Sequence, residues 1–502
     1  MGIALPDHLI KKKALFEDQA WRLNNLYKIR DKDGQVVDFL MNDAQEFLYE
    51  THWYLSLILK ARQLGFTTFI DLLILDTCIF NQNVKAGIIA HNRDDANAIF
   101  EEKIKFPYLN LDPVIRNFVT STTDRAGEIV FSNGSSIRVG TSFRSGTLQI
   151  LHVSEFGKIA SKYPEKAKEI KTGAFEAVGI GQKIFVESTA EGREGEFYDL
   201  TMRAIAHADA GKRLSQLDFK FFFFAWHENP GYRMDPEGIV ITQENIKYFD
   251  DLRGRGIKLD ERQKAWWSKK FETLGDLMYR EHPSYPEEAF KASIEGAYYG
   301  KIMTALRRQG RITRVPYDEH FPVFTSWDLG MNDAMTIWFF QQIGRELRII
   351  DYEEDHGHGF RHYALLLVKK GYVYGSHYMP HDVRVKELGT GKTRKEVAES
   401  LGIKPIETVA RPKNNDQLLD QIEDTRAFLT RAWIDEEKCD KGIKGLENYR
   451  QEWDDKLGGF KNSPLHNWAS HSADGIRTGA VGFESVIIHN KTSLLPDVVA
   501  DY

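Results

Sequence analysis

The sequence predicts two α/β domains in tandem, the first carrying a mostly parallel sheet, with a helical segment between them. Three observations predict this. Up to about residue 226 short apolar runs alternate with helical periodicities, the pattern of layered α/β domains. Residues 236–310 are charged and mainly helical, with few strand signals. After the turn-like segment Val315-Pro316-Tyr317-Asp318-Glu319-His320 a fresh series of strands begins. Taken in order, the expected strands of the first domain are 55–60, 85–90, 129–131, 137–139, 150–153, 183–187 and 220–226, with helical patterns between several of them. In the second domain they are 324–327, 334–341, 347–352 and 372–378, followed by helical patterns to about residue 484. The boundary is expected near 310–318, which divides the chain into 1–235, a helical linker 236–312, a second domain 313–488 and a tail 489–502.

Composition narrows the function classes. Of 502 residues, 42% are hydrophobic and 12% aromatic, enough to bury cores and to exclude wholesale disorder. Lys and Arg total 67 against 73 Asp and Glu, a net charge of −6, so the chain is no histone-like coat for nucleic acid. Two cysteines, Cys78 and Cys439, are too few for a disulfide framework or a zinc finger and fit a reducing compartment. There is no internal repeat and no low-complexity tract. The N-terminal residues lack the apolar core of a signal peptide, and Pro6 stands where a myristoylation motif wants Ser or Thr. The most apolar stretch, residues 66–80, is interrupted by Asp71 and Asp76 and is too short to span a bilayer. A soluble intracellular protein is expected.

The strongest local feature is Leu59-Lys60-Ala61-Arg62-Gln63-Leu64-Gly65-Phe66-Thr67-Thr68, between an apolar strand and an apolar helix. A phosphate-binding loop requires that setting, because backbone N–H groups and the helix N-terminus cradle the phosphates. Gly65 and the Thr67 hydroxyl occupy the expected places, but Phe66 replaces the usual lysine and Lys60 the first glycine. The phosphate-facing cation is therefore expected from Lys60 or Arg62.

This segment resembles the variant Walker A motif of the large terminase subunits of tailed bacteriophages and prophages, in which the lysine is displaced to the start of the loop. The resemblance implies ATP, with Mg²⁺, as cofactor. It implies nucleotide-binding roles for Lys60, Arg62, Gln63, Gly65, Thr67 and Thr68, with Thr67 on the metal, and for Gln45, in Asn42-Asp43-Ala44-Gln45, as the amide that reads the base. Leu151-His152-Val153-Ser154-Glu155 resembles the Walker B strand, with Glu155 as the carboxylate that orients the attacking water. Ser154 stands where the family has Asp, and a serine carries no charge. Arg144 is the implied arginine finger, with Arg138 its local rival. Val186-Glu187-Ser188-Thr189-Ala190 resembles the coupling motif, in which Ser188 and Thr189 would sense hydrolysis.

The second domain opens with Trp327-Asp328-Leu329-Gly330 at the end of a strand; Pro380-His381-Asp382 follows a later strand, and Ser470-His471-Ser472-Ala473-Asp474 begins a late helix. Three carboxylates in this order match an RNase H-like fold, and clustered carboxylates bind hard divalent ions that cut phosphodiesters. These three segments also resemble the nuclease motifs of large terminases, which implies Asp328, Asp382 and Asp474 as ligands of Mg²⁺ or Mn²⁺. Gly475 follows the acid where the family has Ala, and His471 is a candidate to orient a ligand. Glu353-Glu354-Asp355 reads as a solvated strand end. Gly389-Thr390-Gly391-Lys392-Thr393 imitates a phosphate loop but reads as a mobile loop beside the second site, with two readings open for Lys386, Lys392, Arg394 and Lys395: contact with DNA phosphate, or a solvated basic loop.

The resemblance runs from about residue 40 to 480 and includes Tyr285-Pro286-Glu287-Glu288-Ala289-Phe290 as the link before the nuclease. It implies a P-loop ATPase and metal-dependent endonuclease that packages double-stranded DNA through a portal into a procapsid. A small terminase subunit and a ring of copies on the portal are the implied partners, a solution monomer is compatible with them, and the infected bacterial cytoplasm is the implied location. The alternative is an ATP-dependent DNA remodeller whose RNase H-like domain only binds. A transposase or integrase would share the second domain without needing the nucleotide motifs.

Overall fold

The computed structural model describes residues 13–143, 146–193, 195–290, 296–330, 334–386, 391–454 and 459–492. The chain divides into two compact units, Met1–Ala292 and Ser293–Tyr502. Among the described residues no helix is long and apolar enough to cross a membrane.

The first unit begins with a small hairpin, β1 (Lys28–Arg30) and β2 (Val36–Asp38), followed by helix α1 (Asp43–Thr51). Its main sheet contains β3 (Leu55–Lys60), β4 (Lys85–Ile89), β5 (Ser121–Arg125), β6 (Glu128–Phe131), β7 (Ser136–Gly140), β8 (Leu148–Ser154), β9 (Val178–Ser188) and β10 (Phe219–Phe224). Their spatial order is β10-β3-β9-β8-β4-β7-β6-β5. The six strands from β10 to β7 run parallel, and β6 and β5 add an antiparallel edge. Strands β3 and β8, which carry the nucleotide motifs, are thus separated by β9. All parallel strands end at one edge of the sheet, where α/β proteins bind ligands.

Helix α2 (Phe66–Phe80) follows β3 and is apolar nearly all round because it is buried against the sheet, while α3 (Phe156–Lys162) and α4 (Glu196–Asp209) follow β8 and β9. The two acids of α2 explain why so apolar a helix carries charge. Asp71 receives His152 Nδ1 at 2.7 Å, and Asp76 receives the Arg22 guanidinium at 2.8 Å and the Tyr27 hydroxyl at 2.9 Å. Each is fully buried and partnered, the condition under which a buried charge is tolerated.

The chain division falls at 292–293 rather than 310–318, and packing gives the reason. Helices α5 (Gln243–Gly254) and α6 (Glu261–Leu274) place Phe249, Trp266 and Trp267 in the core beneath the first sheet, where Trp226 stacks on Trp266. Ala289 and Phe290 close that unit. Helix α7 (Gly300–Arg308), by contrast, packs Met303 and Leu306 into the second core. The helical segment therefore has no core of its own.

The second unit is built on a seven-stranded sheet ordered β11-β17-β14-β13-β12-β15-β16. The strands are β11 (Ile312–Thr313), β12 (Val323–Asp328), β13 (Met335–Ile343), β14 (Glu346–Asp355), β15 (Tyr374–Pro380), β16 (Ile406–Val409) and β17 (Ala432–Asp435). The centre, β12-β13-β14, is an antiparallel meander, and β15 and β16 continue parallel to β12. Helices α8 (Phe360–Lys370) and α9 (Arg394–Ser400) cover one face; α10 (Asn415–Thr430), α11 (Asp440–Asn448) and the long α12 (Trp468–Thr492) cover the other. This is the RNase H-like arrangement that the order of the three acids predicts. Both cysteines are buried free thiols, Cys78 in α2 and Cys439 just before α11.

Replacing Arg22 by Leu leaves the buried Asp76 carboxylate without its cation, and loss of about 3–5 kcal/mol is expected by urea denaturation. An Arg22→Leu protein as stable as the wild type would refute the pairing.

Candidate functional site

Two sites emerge, one in each unit. In the first, β3 ends at Lys60, and the loop that follows turns into α2 through Gln63 and Gly65, both at positive φ (58° and 79°). Gly65 serves as the N-cap of α2 without a side-chain cap, so the first N–H groups of the helix are left for a ligand. A Cβ at Gly65 would come within 2.7 Å of Gln45 Nε2, so the position needs glycine for space as well as for φ.

Lys60 is buried, and its ammonium lies 3.2 Å from Glu155 and 3.0 Å from Glu187. Burial alone would lower its pKa, but the two carboxylates raise it above the ordinary lysine range. Arg62 is turned away, donating to Glu281 Oε2 at 2.8 Å. Of the two cations expected to face phosphate, Lys60 therefore stands among the acids, and Arg62 braces the loop against the helical segment. Gln63 accepts from Lys32, and Thr68 is half-buried in the first turn of α2. Gln45 lies behind the loop: its Nε2 donates to the Gly65 carbonyl at 2.9 Å, and its Oε1 accepts from Asn42 N–H in a capping box of α1. Both ends of that amide are thus engaged in shaping the loop. Beside it, Asn42, Leu64, Phe224, Ala225 and Asn229 line a small cavity of about 110 Å³.

Glu155 follows β8 at φ 54°, a conformation that costs a non-glycine residue roughly 1–2 kcal/mol and is a mark of functional sites. It aims the carboxylate across the strand tips toward Lys60. Ser154, one residue earlier, donates to Glu187 Oε1 at 2.8 Å, and Thr67 donates to the same oxygen at 2.7 Å. Glu187 is fully buried at the tip of β9, in register with Ser154 on one side and Ile58 on the other. Burial would raise its pKa, but Lys60 and His152 hold it well below the usual carboxylate range. Sequence reasoning passed over Glu187 as part of the coupling motif. The signal that would find it is the uncharged Ser154 beside a strand that ends in Glu.

Ser188 Oγ accepts from Gly157 N–H at 3.0 Å, which ties the end of β9 to the helix after Glu155 (α3, Phe156–Lys162). Arg138 projects from β7 over the Phe143 ring at 5.1 Å. Arg144 lies outside the described residues.

In the second unit, Asp328 at the tip of β12, Asp382 in the turn after β15 and Asp474 in α12 line one cleft of about 520 Å³. Arg411, His466 and Arg477 line it with them. Burial raises the Asp474 pKa and Asp328 adds to the effect, while Arg477, at 2.9 Å, opposes it. Three carboxylates lining one cleft offer oxygen donors of the kind a divalent cation takes. His471 Nδ1 lies 3.4 Å from Asp328 Oδ2, and His381 Nε2 lies 3.2 Å from Asp382 Oδ1, so two of the three acids have a neighbouring histidine. Helix α12 is fastened to β13 by Thr336 Oγ1 donating to the His471 carbonyl and Trp338 Nε1 to that of Ser472. Gly475 permits this closeness, since a Cβ there would meet Thr336 Oγ1 at 2.6 Å.

The acidic strand end is not simply solvated. Glu353 pairs with Lys370, Glu354 accepts from the Tyr352 hydroxyl, and Asp355 lies beside His358 and His362. In the imitation phosphate loop Gly389 and Thr390 lie outside the described residues. Thr393 caps the helix Arg394–Ser400, and Lys395 Nζ donates to the Ile406 carbonyl.

No family model matches the sequence, and no curated protein matches it. Among solved structures the chain is similar to large terminases. The large terminase of bacteriophage HK97 is 11% identical, covering 94% of this chain and 99% of that one, with a TM-score of 0.42. The ATPase domain of the Thermus phage P74-26 large terminase is 14% identical over 49% of this chain and 93% of that one (TM-score 0.31). The nuclease domain of the P22 large terminase is 16% identical over 35% of this chain and 89% of that one (TM-score 0.28).

One outcome of the first site is set by pH. Burial alone would lower the pKa of His152, but Asp71 and Glu187 reverse this and carry it to about 9. A pKa raised above the ordinary value of about 6.5 means the stabilisation is complete below pH 6.5 and is lost as pH rises through 9, up to about 3 kcal/mol. Thermal midpoints of the wild type are expected to fall between about pH 6.5 and 9. His152→Gln should remove that slope.

Proposed function

We propose that the chain is an ATP-driven motor subunit of viral DNA packaging whose second unit is a divalent-metal-dependent endonuclease. The observation that carries this reading is the pairing of Lys60 with Glu155 across a glycine-capped helix N-terminus, in the same chain as a cleft lined by Asp328, Asp382 and Asp474.

In the first site the exposed N–H groups at the start of α2 bind the phosphates of ATP, and the cavity beside Asn42 and Phe224 takes the base. Lys60 holds Glu155 in an ion pair until an incoming phosphate competes for the ammonium. Lys60 then faces phosphate, and Glu155 is released to orient the attacking water and accept its proton. Mg²⁺, when bound, screens the charge of the β- and γ-phosphates. Thr67 is the hydroxyl that would hold it. The Ser188–Gly157 hydrogen bond gives movement of Glu155 a route into β9, consistent with a coupling role for Ser188 and Thr189. Arg144 or Arg138 supplies the arginine finger.

In the second site Asp328, Asp382 and Asp474 would hold Mg²⁺ or Mn²⁺, which activates water and stabilises the leaving oxygen of a phosphodiester. Arg411 and Arg477 bind the DNA phosphates that flank the cut. Double-stranded DNA, a portal ring, a small subunit and the procapsid are the partners of such a motor, working as a ring in the cytoplasm of the infected host. The net charge of −6 suits a machine that grips and releases, since dense phosphate contacts hold too tightly.

Glu155→Gln should lower ATP hydrolysis by at least about 100-fold while ATPγS binding persists. Asp382→Asn should abolish plasmid cleavage in Mg²⁺ or Mn²⁺. Unchanged hydrolysis in the first variant would overturn the motor, and unchanged cleavage in the second would overturn the nuclease.

A further inference from the structure

The nucleotide site has a vacancy in its chemistry. A phosphate-loop ATPase holds its cation with the loop hydroxyl and an acid at the tip of a neighbouring strand, and in this chain that tip is Ser154. Yet a carboxylate is present at the same spot. Glu187 Oε1 accepts both the Thr67 and the Ser154 hydroxyls, at 2.7 Å and 2.8 Å. Its second oxygen, Oε2, has no hydrogen-bond partner among the described residues and lies 3.0 Å from Lys60 Nζ. The strand order makes this substitution possible: β9 runs between β3 and β8, so a side chain at its tip reaches both motifs. We propose that Glu187 supplies from β9 the carboxylate that Ser154 lacks, so that Thr67, Ser154 and Glu187 together form the Mg²⁺ seat of the nucleotide site.

This inference rests on the ATPase reading, and its test separates the two. ATPγS binding to the full chain is measured by calorimetry in EDTA and in Mg²⁺. Wild type should bind more tightly with Mg²⁺. Measured against its own affinity in EDTA, Glu187→Gln should lose at least tenfold of the Mg²⁺ enhancement, and Ser154→Asp combined with Glu187→Gln should restore it by returning the acid to β8. Glu187→Asp keeps the charge against Lys60 while drawing it back from Thr67, and should lose part of the enhancement even if the Gln variant fails to fold. Full enhancement in Glu187→Gln or Glu187→Asp would overturn the proposal while leaving the ATPase reading intact. Absence of ATPγS binding by the wild type would overturn both.

A separate cluster lies in the second unit. Cross-strand register places Asp328, Thr336 and Glu354 in one row on the α12 face, so Asp355, one residue further, faces the α8 side. There Asp355 Oδ2 lies 3.5 Å from His358 Nε2 and 3.2 Å from His362 Nε2. Ligand atoms of all three residues fall within 4.8 Å of one another. His362 Nε2 is shielded from solvent but makes no hydrogen bond among the described residues, despite its closeness to the carboxylate. Gly357, at φ 75°, folds the chain back between Asp355 and His358. Two imidazoles four residues apart with one carboxylate form a donor set that suits zinc rather than magnesium. We infer that Asp355, His358 and His362 bind a zinc-class transition ion that clips the end of β14 to the start of α8.

Zinc titrated into the full chain against a chromophoric chelator should show one more bound ion per chain in wild type than in His358→Ala/His362→Ala, with a zinc-dependent rise in thermal midpoint lost in the variant. His358→Gln alters only the exposed ligand and should weaken that ion at least tenfold. Equal zinc stoichiometry and affinity in wild type and these variants would overturn the site, whatever the carboxylate cleft binds.

Discussion

The first unit depends on a chain of alternating charges across its sheet, buried in all but its last member. Asp71, His152, Glu187, Lys60 and Glu155 run in sequence from helix α2 through β8, β9 and β3 and back to the end of β8. Each link crosses from one element to another, so the chain aligns three strand tips and the helix that follows the phosphate loop. Buried ions are costly unless each is compensated. That requirement fixes register here more strictly than apolar packing, which tolerates volume-conserving exchange. Lys60 lies at the crossing point, and the binding chemistry proposed for the site is an exchange among its partners.

Much of this was legible in the sequence because the strongest signals were local. An apolar strand, a loop with Gly65 and an apolar helix identify one another by adjacency, and the tips of β3 and β8 lay where the patterns placed them. Lys60 and Arg62 were equivalent on paper. Only the fold separates them, since Glu281, distant in sequence, draws Arg62 away. Glu187 was hidden for a similar reason: its role comes from lateral strand order, which sequence spacing does not encode. Short polar strands such as β5, Ser-Thr-Thr-Asp-Arg, escaped because they lack an apolar run and are made by pairing with β6. Strands β16 and β17 escaped because four residues carry too little periodicity.

In the second unit the three acids were readable from order alone, and the structure gathers them in one cleft. What the sequence did not show is how the late helix reaches the sheet. Thr336 and Trp338 donate to consecutive carbonyls in the first turns of α12, and Gly475 removes the Cβ that would hold the helix off. Gly475, which the sequence shows only as a departure from the family's Ala, is a spatial requirement. The arginines and histidines beside the acids were likewise invisible as a group, because Arg411, His466 and Arg477 come from three different segments.

The two cysteines have a practical consequence. Both thiols are fully buried, and burial raises their pKa, so neither is accessible as thiolate to a maleimide reagent at neutral pH. A cysteine placed at an exposed position would be the preferred target for a fluorophore with Cys78 and Cys439 left in place. Distances within either unit can then be followed on single molecules without dismantling the cores that those two sulfurs fill.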